Sequence, residues 1–236
     1  MGIQNRLESV ASAALALAAI CIAAAFIHRE VLGTQRPPLP TAAMGPPEHL
    51  AAWEDMLRSG IGVGNLNAPV KILEFGDFEC PACRSYERTI HRVAARFRDD
   101  VAVVFVHFPL QQHHFARPAA RAAECANDQG RFVELHDLMY SKQDSLGLKS
   151  WASFAREAGV RDSARFARCV SDTSRVLRIE AGLALGSKIG IRGTPTIVIN
   201  GWRFPTTPSE STLTNTVSAL IEGRQPFAAQ RARANH

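Results

Sequence analysis

The sequence has no aromatic-interleaved basic stripe, and outside residues 224–233 it has no arginine-rich stretch. Its formal charge of +5 and pI near 9.2 therefore come from scattered side chains that read as solvated surface, which sets a nucleic-acid partner aside. A second cysteine or histidine pair at ligand spacing is also missing, and a structural zinc site needs one. His113 and His114 are merely adjacent and read as an exposed loop pair. Neither a metal nor a bound cofactor is expected. No internal repeat is present, and low complexity is confined to an alanine-rich N-terminal run and a proline-rich spacer. Cysteine is sparse: Cys21, Cys80, Cys83, Cys125 and Cys169.

What is there suits a globular protein. The 236 residues are 46% hydrophobic and 21% charged, enough for one domain with appendages, or two at most, around a sizeable core. Residues 10–27 form an uncharged run of 18, nine of them alanine. At about 1.5 Å per residue such a helix just spans a bilayer core. Residues 1–35 are accordingly expected to be a signal-anchor that tethers the chain to the inner membrane of a bacterial-type envelope, with the remainder in the periplasm or exterior. A cleaved signal peptide is the alternative, because Ala23-Ala24-Ala25 offers small residues after an apolar core; Phe26 and Ile27 carry the apolar run past that site. Both readings deliver the rest of the chain outside the cytoplasm.

Residues 36–63 read as a proline-rich linker and a short amphipathic helix. Leu50, Trp53, Met56 and Leu57 share a face of that helix, pack on the main domain, and are followed by Gly60. The compact domain is expected over 64–223. Strands at 70–75 and 101–108 flank a helix running from Cys80 to about residue 97, a parallel βαβ unit. Helices follow at 116–128, 131–142, 150–158, 163–170 and 174–188. Strands return at 196–200 and 202–204, then a helix at 209–221 capped from Ser209. The helical insertion is placed at about 111–188 and a flexible tail at 224–236.

The chemistry concentrates at Cys80-Pro81-Ala82-Cys83, between an apolar strand and a helix. A cysteine that opens a helix sits beside unpaired backbone N–H groups and the positive end of the helix dipole, which favour its thiolate. A second thiol one turn later is placed to resolve a mixed disulfide. Pro81 suits the first helical position, whose N–H has no partner to lose. Glu74, in the preceding strand, has two readings. It is either a buried carboxyl of raised pKa that relays the proton of Cys83, or a strand-edge glutamate facing water. Asp77 and Glu79 read as loop carboxylates. Cys125 and Cys169 fall on helices of the insertion and are either free apolar cysteines or a structural disulfide.

This order of elements, with these motifs, resembles the DsbA-like thioredoxin-fold family, in which a helical domain interrupts the thioredoxin domain. The likeness rests on Asn67-Ala68-Pro69-Val70 leading into residues 72–83, on Phe108-Pro109-Leu110 with His114, and on Ala119-Ala120 through Ala126. Gln129-Gly130-Arg131-Phe132, His136-Asp137-Leu138 and the 190–196 loop Gly-Ile-Arg-Gly-Thr-Pro-Thr extend it across about residues 64–223. It implies an α/β thioredoxin fold with an inserted helical domain, preceded by the N-terminal apolar helix, and a protein-disulfide oxidoreductase. Cys80 and Cys83 then react, Glu74 assists proton transfer, and Thr194, Pro195 (in cis), Pro81 and Ala82 meet substrate. The Cys80–Cys83 pair itself carries two electrons, so no cofactor is implied. Partners implied are cysteine-bearing substrate proteins, a membrane redox partner, and the membrane through the N-terminal helix. Ala82 departs from the polar or aromatic residue of many relatives and cannot hydrogen-bond Cys80 through its side chain. A dithiol less oxidising than the family's extreme is expected. The alternatives kept open are a membrane-anchored reductase or isomerase, a peptide-binding chaperone-like module with little redox turnover, and a metal chaperone.

Overall fold

The computed structural model describes residues 45–227, together with positions 21 and 23. By internal contacts the chain divides into units 1–44 and 45–236, and the second is described here. Its elements run β1 (Glu48–His49), a 3-10 helix (Trp53–Ser59), β2 (Ile61–Gly64), β3 (Val70–Gly76), α1 (Pro81–Arg96) and β4 (Val101–His107). Then come α2 (Ala116–Asn127), α3 (Phe132–Ser141), a short 3-10 turn (Gln143–Ser145), α4 (Trp151–Glu157), α5 (Ser163–Ser171) and α6 (Leu177–Lys188). The chain closes with β5 (Thr196–Ile199), β6 (Trp202–Arg203) and α7 (Glu210–Ile221).

One sheet organises the unit, in the order β1-β6-β5-β3-β4-β2. The β3–β4 pair is parallel, as the βαβ reading expects, and the other pairs are antiparallel. Apart from Lys71, Glu74 and His107, β3 and β4 are apolar on both faces because both faces are covered. Val70 and Ile72 pack with Ile90 and Val93 of α1 and Leu213 and Val217 of α7. Leu73 and Phe75 point the other way, joining Val104, Val106 and Met56, with Leu183 and Leu185 of α6 against them. Burial of those side chains contributes roughly 1.5–3 kcal/mol each.

Three boundaries differ from those expected. The domain starts earlier than residue 64: β2 pairs with β4 from Ile61 to Gly64, a strand that its alternating glycines hide from a pattern search. α6, expected inside the helical insertion, packs instead across the sheet beside β4 and the first 3-10 helix. Gly182 permits that approach, since a Cβ there would stand 2.3 Å from the His107 carbonyl oxygen. The insertion proper is α2–α5, whose core gathers Leu135, Met139, Phe154 and Phe166. The expected tail also starts later, because Phe227 is buried against Trp202 and Phe204 at ring separations of 5.2 and 5.7 Å. The short helix is a 3-10 helix that begins at Trp53, so Leu50 lies before it; Met56 is buried with Leu50, Trp53 and Leu57 beside it.

The expected membrane anchor is corrected. Among the described residues no helix is long and apolar enough to cross a membrane. Residues 10–27, on which the anchor rested, lie outside the described residues except positions 21 and 23. Half of that run is alanine, whose modest apolar surface makes it a weak spanning segment. The transmembrane helix, the signal-anchor and the membrane-tethered location are therefore withdrawn.

Candidate active site

β3 delivers the chain to Asp77, a turn closes from the Asp77 carbonyl to the Cys80 N–H at 3.1 Å, and α1 begins. Cys80 is the N-cap, in extended conformation, and Pro81 is the first helical residue. Pro81 and Ala82 are exposed beside the reactive pair. Both cysteines are free thiols; Cys83 is fully buried, whereas Cys80 keeps 6% of its surface open. Cys80 is therefore the sulfur that a second molecule can reach, and Cys83 is shielded.

The electrostatics point the same way. The Cys80 thiol is pulled down to about 5, first by a hydrogen bond from the Cys83 thiol, then, against the opposing cost of burial, by the Thr194 side chain and the backbone N–H groups of Cys83 and Ala82. Those amides are the orphan donors of the helix start. Burial, followed by the hydrogen bond to Cys80, pushes Cys83 far up, so it holds its proton until the partner sulfur is consumed.

Thr194 comes from the loop before β5. Its peptide bond to Pro195 is cis, and its carbonyl accepts from the Cys80 thiol at 3.3 Å. The Thr207 hydroxyl donates to the Pro195 carbonyl at 3.2 Å, and the Thr196 hydroxyl to Gly193 at 2.8 Å, so both flanks of the loop are pinned. The topology thus brings residues 80 and 194 together across more than a hundred positions.

Glu74 is not at a sheet edge. β3 lies between β4 and β5, and Glu74 sits opposite Phe105 on one side and Ile197 on the other. Alternation puts it on the α1 face with Val70 and Ile72. It is fully buried, and neither carboxyl oxygen has a hydrogen-bond partner. Burial, then the Glu87 charge, raises its pKa well above the carboxylate range. In its ionised form its charge also contributes to raising Cys83.

Several supporting residues carry no sequence signal. Asp77 is buried, not a solvated loop carboxylate, and accepts from the N–H groups of Glu79 and Leu110, each at 2.8 Å. His113, read as part of an exposed pair, is half-buried and lies 2.7 Å from Asp77, while His114 is exposed. Tyr140 donates to the Asp77 carbonyl at 3.4 Å, and Gln143 to the carbonyls of Phe78 and Cys80. Glu79 accepts from the Phe115 N–H at 2.5 Å, tying the loop to the head of α2. The insertion is itself cross-linked by a Cys125–Cys169 disulfide between α2 and α5, with Cα atoms 5.8 Å apart.

Comparison with known proteins agrees with this geometry. The family described as Thioredoxin matches residues 57–219. Among solved structures, a thioredoxin-like oxidoreductase from Silicibacter pomeroyi is 25% identical with a TM-score of 0.59, covering 70% of this chain and 93% of that one. BdbD from Bacillus subtilis shares the fold at 21% identity and a TM-score of 0.64, covering 76% and 97%. Among curated sequences, a protein named Na(+)/H(+) antiporter NhaA 1 from Salinispora arenicola is 33% identical over 161 residues, 68% of this chain and 24% of that protein. Its namesake in Mycolicibacterium gilvum is 38% identical over 143 residues, 59% and 23%. The chain spans about a quarter of the length of these curated relatives. With a reachable thiol, a shielded second thiol and a cis-proline loop in the fold that this match covers, the chain belongs to the thioredoxin family.

Proposed function

We propose that the protein exchanges disulfides with cysteine-bearing substrate proteins and, in its oxidised form, acts as a disulfide donor of intermediate strength. The pairing of a reachable Cys80 thiolate with a buried, protonated Cys83 carries this reading. A substrate thiolate attacks Cys80 of the Cys80–Cys83 disulfide, forming a mixed disulfide and expelling Cys83. The departing Cys83 sulfur takes up a proton, for which Glu74 is the nearby buried acid. A second substrate thiolate then attacks the substrate sulfur of the mixed disulfide and releases Cys80 as a thiolate. Two electrons pass from the substrate dithiol to the protein, and a redox partner must remove them to reset it. Thr194 and Pro195 form the wall against which the substrate peptide lies, beside exposed Pro81 and Ala82.

The direction follows from which form is stabilised. A Cys80 pKa near 5 favours the reduced form and hence oxidising power, but less than a pKa of about 3.5 does at the oxidising extreme of the family. The Cys125–Cys169 bridge supports a working compartment in which disulfides persist. The antiporter names belong to proteins of which the match covers only about a quarter, and ion transport is not carried over to this chain.

The test is the reduction potential of Cys80–Cys83 in glutathione buffers, read by alkylation and mass spectrometry. A donor is expected well above about −180 mV, and a value at or below about −250 mV would instead make the protein a reductant. Cys80→Ser separates enzyme from peptide-binding module: it should abolish exchange, and undiminished biological activity would sink the enzymatic reading.

A further inference from the structure

Between α1, β3, β4 and α3 lies a cavity of about 70 Å³, its polar wall made of Glu74, Glu87, His91, His136 and Asp137. Among the described residues no lysine or arginine lines it. Three carboxyl groups thus share a small space with two imidazoles. Glu87 and His136 are 7% and 8% exposed. His136 Nδ1 bonds Asp137 Oδ1 at 2.9 Å, which directs Nε2 toward Glu87 Oε2 at 3.8 Å. That second distance is too long for a hydrogen bond. It is near the roughly 3.4 Å that separates two ligand atoms each about 2.1 Å from one tetrahedral ion. Glu87 Oε2 is accordingly buried without a hydrogen-bond partner, as are both oxygens of the fully buried Glu74 in the same cavity. Buried polar atoms without partners are uncommon, and three around one cavity of this polarity indicate a missing guest.

We propose that Glu87, His136 and Asp137 bind a divalent cation of the zinc class at this cavity. Each brings one ligand atom to within 4.8 Å of the other two. Mixed imidazole and carboxylate donors suit zinc and its first-row neighbours rather than magnesium or calcium, which prefer oxygen alone. His91 Nε2, 2.7 Å from Glu87 and 3.5 Å from Asp137, is the adjacent fourth donor. The Glu74 carboxyl oxygens then face a metal-bound water. This departs from the metal-free expectation at sequence level because the four residues come from two helices, and their spacing, 87, 91, 136 and 137, matches no local ligand motif. The cavity shares Glu74 with the redox site, but the experiment below reads metal binding alone, so either reading can fail without the other.

The experiment uses the protein with Cys80–Cys83 oxidised, so that no free thiolate at the active site competes for metal. Zn²⁺ alone is titrated by calorimetry, and Co²⁺ by its visible absorption. One saturable ion per chain is expected, with affinity reduced at least about tenfold in Asp137→Asn and unchanged in His114→Asn. Asp137 is 41% exposed, so its replacement spares the fold; thermal melting verifies this. Absence of saturable Zn²⁺ binding, or an affinity unaltered by Asp137→Asn, overturns the proposal.

Discussion

The side-chain amide of Gln143 donates to the Cys80 carbonyl at 3.0 Å, and the same nitrogen reaches the Phe78 carbonyl at 2.7 Å. One buried side chain from the helical insertion therefore fixes the loop that carries the nucleophile, 63 positions earlier in the chain. Replacing it with alanine leaves the Phe78 carbonyl without this donor, at a cost of about 1–3 kcal/mol. Gln143→Ala is expected to lower the denaturation midpoint accordingly and to broaden the NMR signals of residues 78–81. An unchanged midpoint would show that water replaces the amide freely.

The Cys80 thiolate owes most to the Cys83 thiol. Ultraviolet thiolate absorbance of the reduced protein should titrate at about 5, and in Cys83→Ala it should move up toward the ordinary value near 9. A group with a depressed folded pKa contributes stability above its unfolded value and loses it as pH falls through the folded one. The reduced protein should therefore gain stability over the oxidised one as pH rises from about 5 toward 9, by paired denaturation curves. A gap independent of pH would contradict the assignment.

Glu74 has the opposite sign. Its folded pKa is raised, so its contribution is full below about 4.5 and falls as pH climbs toward the folded value. Glu74→Leu removes a buried acid that has no hydrogen-bond partner and should stabilise the fold by about 1–3 kcal/mol, more at pH 8 than at pH 4. The same variant should slow the step in which Cys83 gains or loses its proton, measured by stopped-flow reduction of the active-site disulfide. Faster turnover with equal stability would remove Glu74 from the mechanism.

The Cys125–Cys169 bridge closes a loop with a sequence separation of 44. Chain entropy assigns a closure of that length about 4 kcal/mol. The double alanine variant should lose stability of that order while its Cys80 keeps its alkylation rate, because the bridge joins α2 to α5 and leaves the β3–α1 turn untouched. Intact mass after alkylation without reductant checks the bond directly; two alkylated thiols at these positions would refute it.

The sequence by itself determined the local parts. The apolar run before Cys80, proline at the first helical position and the 3.6-residue patterns from 116 to 188 specify strand, nucleophile and insertion helices, because backbone preference and periodicity act within a few residues. The family resemblance supplied Pro195 as the proline of the active-site loop. Long-range facts escaped it. That Glu74 is central, that α6 covers the sheet, that Asp77 is buried under His113 and that Gln143 holds the Cys80 loop depend on which elements pack together. Only the tertiary structure decided these, because burial and hydrogen bonding belong to the assembled layers, where a buried polar atom is satisfied or orphaned by residues scores of positions away.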